Sequence, residues 1–285
     1  MNSDQLFKEK TDNLTRSQRK LLEYILSNDQ ESVFLKIKDL AKRVNVSQAT
    51  VVRLSRALGF KGFPEFQQEM RLRFRNKLMT TSRLQRTVNK GRDEGDVLIK
   101  VLQTDINNIA ETLKLTSIQE FKRFVHKMDS AQRVVIVGIR SAHALAIFLG
   151  IALEFLQKDV WVVQPGIGDM WDRLLGLRKK DLIIGISFPK YSRQTVEVLR
   201  FAKQRRLKTL AITDSLISPL AQYADNVLTA HYKMDSFIES FTAPLSLINA
   251  IVTALGVSRK KRTMRSLKEL EGIWKNQQIY YHTEK

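Results

Sequence analysis

Two groups of residues in this chain have the types and spacing to do chemistry. The first is a set of hydroxyls: Ser141, just beyond Gly138, and Ser187, Ser192 and Thr195, with Lys190 and Arg193 beside them. Hydroxyls at the start of a helix, next to backbone N–H groups that have no intrahelical partner, hold an anion such as a phosphate without titrating, and the cations supply counter-charge. The second is a polar face in Ile37–Arg56, where Gln48, Thr50 and Arg53 recur on one side of a short helix. Glutamine pairs with adenine and arginine with guanine in two-point fashion, and a threonine methyl meets a thymine methyl. Arg43, Ser47, Arg56 and Lys61 fit phosphate contacts, which fix register without reading sequence.

Other chemistries find little material. There is no cysteine, so disulfides, thiolate metal sites and cysteine nucleophiles are excluded. The four histidines, His126, His143, His231 and His282, lie far apart, and no metal site or cofactor is expected. Gly138 stands alone where the dinucleotide fingerprint needs three glycines, which disfavours a nucleotide cofactor.

The elements that must position these residues differ between the two parts of the chain. Over residues 1–80 apolar residues recur three and four apart, predicting helices only. Thr15 and Gln18 form a capping box ahead of Leu21, Leu22, Ile25 and Leu26, and Pro64 opens a helix through Phe66, Met70, Leu72 and Phe74. Between them Leu40, Val44, Val46, Val51 and Leu54 are apolar where two helices of a helix-turn-helix pack, and Ala41 is small at their crossing. Asn45 suits the left-handed turn, Ser47 caps the second helix, and Gly59 ends it. The polar stretch 81–96 is read as a linker, and a helix is expected from Val97 to Leu113.

From Val134 onward, apolar runs of strand length alternate with helical segments: Val134–Val137, Val160–Val163, Leu182–Ile186 and Thr209–Ile212. Continuous apolar runs suit strands covered on both faces, hence a parallel sheet in βαβ units. Such sheets bind ligands beyond the carboxyl ends of their strands, where the hydroxyl set falls.

The formal charge is +19, and residues 1–90 hold 19 Lys and Arg against 9 Asp and Glu. This favours a polyanionic partner, nucleic acid before membrane. A second basic cluster, Arg259–Arg262 with Arg265, reads as a solvated helix start. No run approaches the roughly 20 apolar residues of a membrane span, and the N-terminus has no secretory core, so a cytoplasmic protein is expected.

With these residues in view, the chain resembles the RpiR-type (MurR/RpiR) transcriptional regulators. In IKDLAKRVNVSQATVVRLSRALGFKGFPEF the residues Ser47, Ala49, Thr50, Val51, Arg53, Gly59, Phe60, Gly62 and Phe63 fall on that family's pattern. Gly138 and Ser141 fall on its first phosphosugar loop, and DLIIGIS with SRQT on its second. Ala211–Asp214, Ser218–Ala221 and Ala224-Asp225 resemble its later strand and helix. There are departures: Phe188-Pro189-Lys190-Tyr191 lengthens the second loop, Arg193 replaces the usual glycine, and Arg140 stands where a small residue is common, which either tightens the pocket or adds a charge to bind the ligand.

The resemblance implies two domains. One is an all-α helix-turn-helix domain (homeodomain-like) at 1–80, and the other an α/β sugar isomerase (SIS) domain at 97–285, with a five-stranded parallel sheet flanked by helices. It implies a non-enzymatic transcriptional regulator of carbohydrate metabolism genes, with operator DNA and a phosphorylated sugar as partners. The ligand-binding set is then Arg140, Ser141, Ser187, Ser192, Arg193, Thr195 and Glu239. Glu239 and His231 are the local candidates for isomerase acid/base work, but a hydrogen bond from a ligand hydroxyl, or a helix cap, suits Glu239 better. A homodimer or tetramer is expected because two recognition helices must meet two half-sites, with Thr242–Leu255 and Leu267–Asn276 offered as association surfaces. The competing reading is a phosphosugar isomerase whose basic helical domain only oligomerises; a ligand-free nucleoid-type binder is disfavoured by the two hydroxyl loops.

Overall fold

The computed structural model describes residues 14–28, 32–77, 79–88, 93–164, 166, 168, 170–234 and 237–281. His282, Asp235, Ser236 and the first 13 residues lie outside them. The chain forms two compact units, Met1–Lys90 and Gly91–Lys285.

The first unit is helical: α1 (Arg16–Ser27), α2 (Ile37–Val44), α3 (Gln48–Ala57), α4 (Phe63–Lys77) and α5 (Thr80–Val88). The Thr15 side chain accepts from the Gln18 N–H while the Gln18 side chain accepts from the Thr15 N–H, so the capping box forms as read. Leu21, Leu22 and Ile25 are buried with Leu40, Val51, Leu54, Leu58, Phe66 and Met70. Leu26 is not: at about 100° per residue it lies at the far edge of the stripe that Leu21 and Ile25 define, and it is exposed, as is Leu72. The stretch 81–96 is largely helical. It holds most of α5 and the start of α6 (Glu94–Leu115), which the Asp93 carboxylate opens by accepting the Asp96 N–H at 2.8 Å. The unit boundary falls inside this stretch.

The second unit continues with α7 (Ile118–Ser130), β1 (Arg133–Gly138), α8 (His143–Glu154), β2 (Asp159–Val162), α9 (Met170–Leu175), β3 (Leu182–Ile186), α10 (Arg193–Gln204), β4 (Lys208–Thr213), β5 (Asn226–Thr229), α11 (Thr242–Ser258) and α12 (Lys260–Asn276). Its five strands are all parallel, in the order β2-β1-β3-β4-β5. Alternate strand residues feed two cores. Val134, Ile136, Ile184 and Leu210 pack with α7, α8 and α11 on one face, and Val135, Val137, Ile183 and Ala211 pack with α9 and α10 on the other. This double coverage is why β1, β3 and β4 read as unbroken apolar runs; the edge strand β2 reads as one too, although its residues are half-buried or exposed. β5 has no such run, because only alternate residues of this edge strand are fully buried. Among the described residues no helix is long and apolar enough to cross a membrane.

Candidate DNA-reading and ligand-binding sites

The helix-turn-helix is built from backbone signals. Asn45 takes the left-handed conformation, φ +57°, so that Val46 N–H reaches Ala41 O and closes α2. Ser47 Oγ then accepts the Thr50 N–H at 3.1 Å and opens α3. At the far end Gly59 sits at φ +93°, with Phe60 N–H on Ser55 O and Gly59 N–H on Arg56 O, a Schellman closure that a side chain at 59 would strain.

The buried side of α3 is Val51, Leu54 and Ser55; its outer side is Gln48, Ala49, Arg53 and Arg56, all exposed. Arg43 and Lys61 are exposed as well, one at the end of α2 and the other beyond Gly59. Thr50 is half-buried and its hydroxyl lies 2.9 Å from Ser47 Oγ. Ala49, one of the residues on the family pattern, lies on the outer side beside Arg53, whose Nε–H reaches Ala49 O at 3.4 Å.

In the second unit the strand register sets Gly138, Ile186 and Ile212 side by side, so the loops after β1, β3 and β4 are neighbours at one sheet edge. A Cβ at Gly138 would lie 2.6 Å from Ala142 O, which is why the chain turns there on a glycine. Arg140 follows at φ +61°, in a 3-10 turn of Arg140–Ala142. Ser141 does not cap the helix as its sequence position predicted: α8 begins at His143, behind Ala142, with no side-chain cap. The Ser141 hydroxyl is exposed and makes no hydrogen bond among the described residues.

The second loop is pinned from several sides. Ser187, almost fully buried, accepts the Ser192 N–H at 3.1 Å, and Ser192 Oγ accepts the Thr195 N–H at 3.5 Å. The extra residues are part of this framework: Phe188 stacks on Tyr232 with ring centroids 5.0 Å apart, and Tyr191 donates to both Asp214 carboxylate oxygens at 2.8 and 3.0 Å. Burial, and then the Asp214 carboxylate, raise the Tyr191 pKa, so the phenol stays a donor. Thr195 is fully buried in the first turn of α10, and its Oγ1 has no hydrogen-bond partner among the described residues. Arg193 is not gathered with these hydroxyls; its side chain is exposed and lies 4.0 Å from Glu197. Glu239 is half-buried in the loop before α11, apart from both hydroxyl loops in sequence. Among the described residues no cluster of His, Asp and Glu could hold a metal ion.

Residues 1–77 match the family model for the helix-turn-helix domain of the rpiR family, and residues 127–254 match the SIS domain model. An HTH-type transcriptional regulator of Haemophilus influenzae is 30% identical over 218 residues, covering 75% of each chain. The chain belongs to the RpiR family of helix-turn-helix transcriptional regulators.

Two solved structures share the fold. The sugar isomerase domain of an RpiR transcription factor from Sphaerobacter thermophilus is 32% identical, with a TM-score of 0.59, over 61% of this chain and 97% of that one. The Vibrio vulnificus NanR protein, solved in complex with ManNAc-6P, is 20% identical, with a TM-score of 0.61, over 94% of this chain and 97% of that one. This RpiR-family chain is thus a DNA-binding transcriptional regulator rather than an enzyme. Phe188 and Tyr191 depart from the RpiR pattern quoted above, whereas Asp214 falls at the end of its later strand. A tyrosine and an aromatic inside a polar loop were the only local hint that the insertion is anchored.

Proposed function

We propose that a phosphorylated sugar, bound beyond the carboxyl ends of β1 and β3, sets this regulator's affinity for its operator. The observation that carries the reading is Thr195. A hydroxyl removed from water without a hydrogen-bond partner costs about 1–3 kcal/mol, and a phosphate oxygen at the start of α10 would relieve that cost. Ser141 and Ser192 line the same strand ends, the first N–H groups of α10 face an anion favourably, and Arg140 adds positive charge. Ser187 supports the ligand indirectly, by holding the Ser192 amide. Arg193 would have to leave Glu197 to reach the phosphate, while Glu239 is suited to accept from a sugar hydroxyl. NanR, which shares this fold, is described with ManNAc-6P, and that is consistent with the ligand class.

On the DNA side, Gln48 and Arg53 read base edges in the major groove with Thr50 at their margin, and Arg43, Ser47, Arg56 and Lys61 meet phosphates. Residues 1–80 serve this role and 97–285 serve sensing, in a cytoplasmic homodimer that places two recognition helices on two half-sites about one duplex turn apart. Effector and operator are then linked through a coupling free energy, typically about 1–3 kcal/mol.

Thermal-shift screening against a panel of sugar phosphates tests the site, since a ligand that binds only the folded state raises its Tm. The expected result is a rise with one class of sugar phosphate, reduced in Thr195→Val and in Ser141→Ala. A rise that both variants keep in full would place the ligand elsewhere.

A further inference from the structure

α12 carries more positive charge than its own unit uses. It holds six Lys and Arg against two Glu, and its first turn is Lys260, Lys261 and Arg262 with no acidic residue. The N-terminal end of a helix is the positive end of its dipole, so three cations there oppose it and are not placed to stabilise the helix. Further along, the charge is ordered, where the sequence reading expected only a solvated helix start. At about 100° per residue, Lys261, Arg265, Lys268 and Lys275 share an arc of roughly 80°, and the only other residue in that arc is Gly272. All five are exposed. Arg265 reaches sideways to Glu269 at 3.0 Å, while Lys261, Lys268 and Lys275 make no ion pair among the described residues. Gly272 is the least favourable residue short of proline for a helix interior, and packing does not require it: a Cβ there would meet nothing within 4 Å. Its missing side chain leaves room for a partner to approach the helix backbone between Lys268 and Lys275. The opposite side of α12 is spent on its own unit. Leu267, Leu270 and Trp274 are half-buried, the buried Ser266 donates to Phe155 O at 2.8 Å, and Trp274 meets the Phe155 ring edge to face at 5.8 Å.

We propose that this stripe is a second DNA-contacting surface, which holds the phosphate backbone of a duplex without reading its sequence. Charge complementarity selects the occupant. The arc offers cations and a gap, with no apolar residue, whereas a helix that lies on a membrane turns its apolar side outward. Three of the four cations are lysines, which meet phosphates as point charges on long flexible stems. Lys261 to Lys275 spans about 21 Å along the helix, the rise of about six nucleotides of one strand. The duplex that α3 engages is the polyanion that this chain meets by virtue of its family's function. Neutralising phosphates releases condensed counterions, so the stripe adds affinity that salt removes and leaves discrimination between bases to α3.

The test needs no sugar phosphate, so its failure leaves the effector reading standing, and Lys61→Ala reports the helix-turn-helix contacts separately. The full chain is titrated onto a labelled promoter duplex and a scrambled one, from about 50 to 200 mM salt. A chain carrying Lys261→Gln, Lys268→Gln and Lys275→Gln together is expected to flatten the dependence of log affinity on log salt by about two to three. At the lowest salt it should bind both duplexes at least tenfold more weakly than wild type, with the ratio between them unchanged. Wild-type affinity and slope in this variant overturn the proposal, as does a loss confined to the promoter duplex. A second variant separates the surface from the fold. Gly272→Glu sets an acidic side chain in open space and replaces the poorest helix former of the arc, so its Tm should be no lower than that of wild type while both duplexes bind at least threefold more weakly. A Gly272→Glu chain that binds both as wild type does also overturns the proposal.

Discussion

The side chain of Asn108 pairs with both backbone groups of Lys233, donating to its carbonyl at 2.9 Å and accepting its N–H at 3.1 Å. One carboxamide thereby stands in for a neighbouring strand and ties α6 to the segment that leads from β5 to Glu239. His231 N–H on Thr112 Oγ1 at 2.8 Å extends the tie on one side. On the other, the Asp105 carboxylate accepts from Ser240 and Thr242 hydroxyls. Asn108→Ala removes the pairing from a site that is almost fully buried. We expect the Lys233 amide to exchange with solvent at least tenfold faster, equivalent to about 1.4 kcal/mol of lost protection. Unchanged exchange at Lys233 would mean that the carboxamide does not hold the segment.

His231 adds a pH dependence to the same segment. Its pKa is lowered by burial, partly offset by Glu111 and reinforced by Lys233. The unfolded chain therefore binds a proton near pH 6.5 before the folded chain does. Stability is complete above that pH and falls as pH drops from 6.5 toward the folded value. Urea unfolding at pH 7.5, 6.5 and 5.5 should show wild type losing ground to His231→Gln across this interval. Parallel curves would contradict it.

In the DNA-reading unit, the caps of α3 are separable from its outer side. Ser47→Ala removes the side-chain acceptor of the Thr50 N–H and should cost about 1 kcal/mol of helix stability. Gly59→Ala, forced into a left-handed conformation, should cost about 1–2 kcal/mol. Both are read as faster amide exchange along α3 in the full chain, and equal exchange in all three proteins would contradict the cap geometry.

On the outer side, Arg53→Ala should relax discrimination at one operator position by about 1–3 kcal/mol, whereas Lys61→Ala should weaken all duplexes alike and lower the salt slope by about one. Binding curves on single-base operator variants at several salt concentrations check both. A Lys61→Ala protein with altered base preference would reverse the roles.

What the sequence disclosed was mostly local backbone chemistry. Asn45, Ser47 and Gly59 each answer a requirement of one turn, and each adopts the conformation that its residue type implies. The doubly covered strands were legible for the same kind of reason, since burial on both faces leaves an unbroken apolar run. Features that depend on distant partners were not legible. Tyr191 meets Asp214 across 23 positions, and Asn108 meets Lys233 across 125. Ser141 shows the remaining limit: whether a hydroxyl near a helix start serves as a cap depends on where the helix begins, and α8 begins at His143, behind Ala142.

The central claim is that a sugar phosphate beside Thr195 governs how α3 engages an operator. The direct measurement is fluorescence anisotropy of a labelled duplex from the regulator's own promoter, titrated with the protein with and without the sugar phosphate that raises its Tm. The account predicts binding preferred over a scrambled duplex, shifted about fivefold or more by the ligand, with the shift lost in Thr195→Val while binding without ligand is kept. Equal affinity for both duplexes, or a shift that persists undiminished in Thr195→Val, would contradict it.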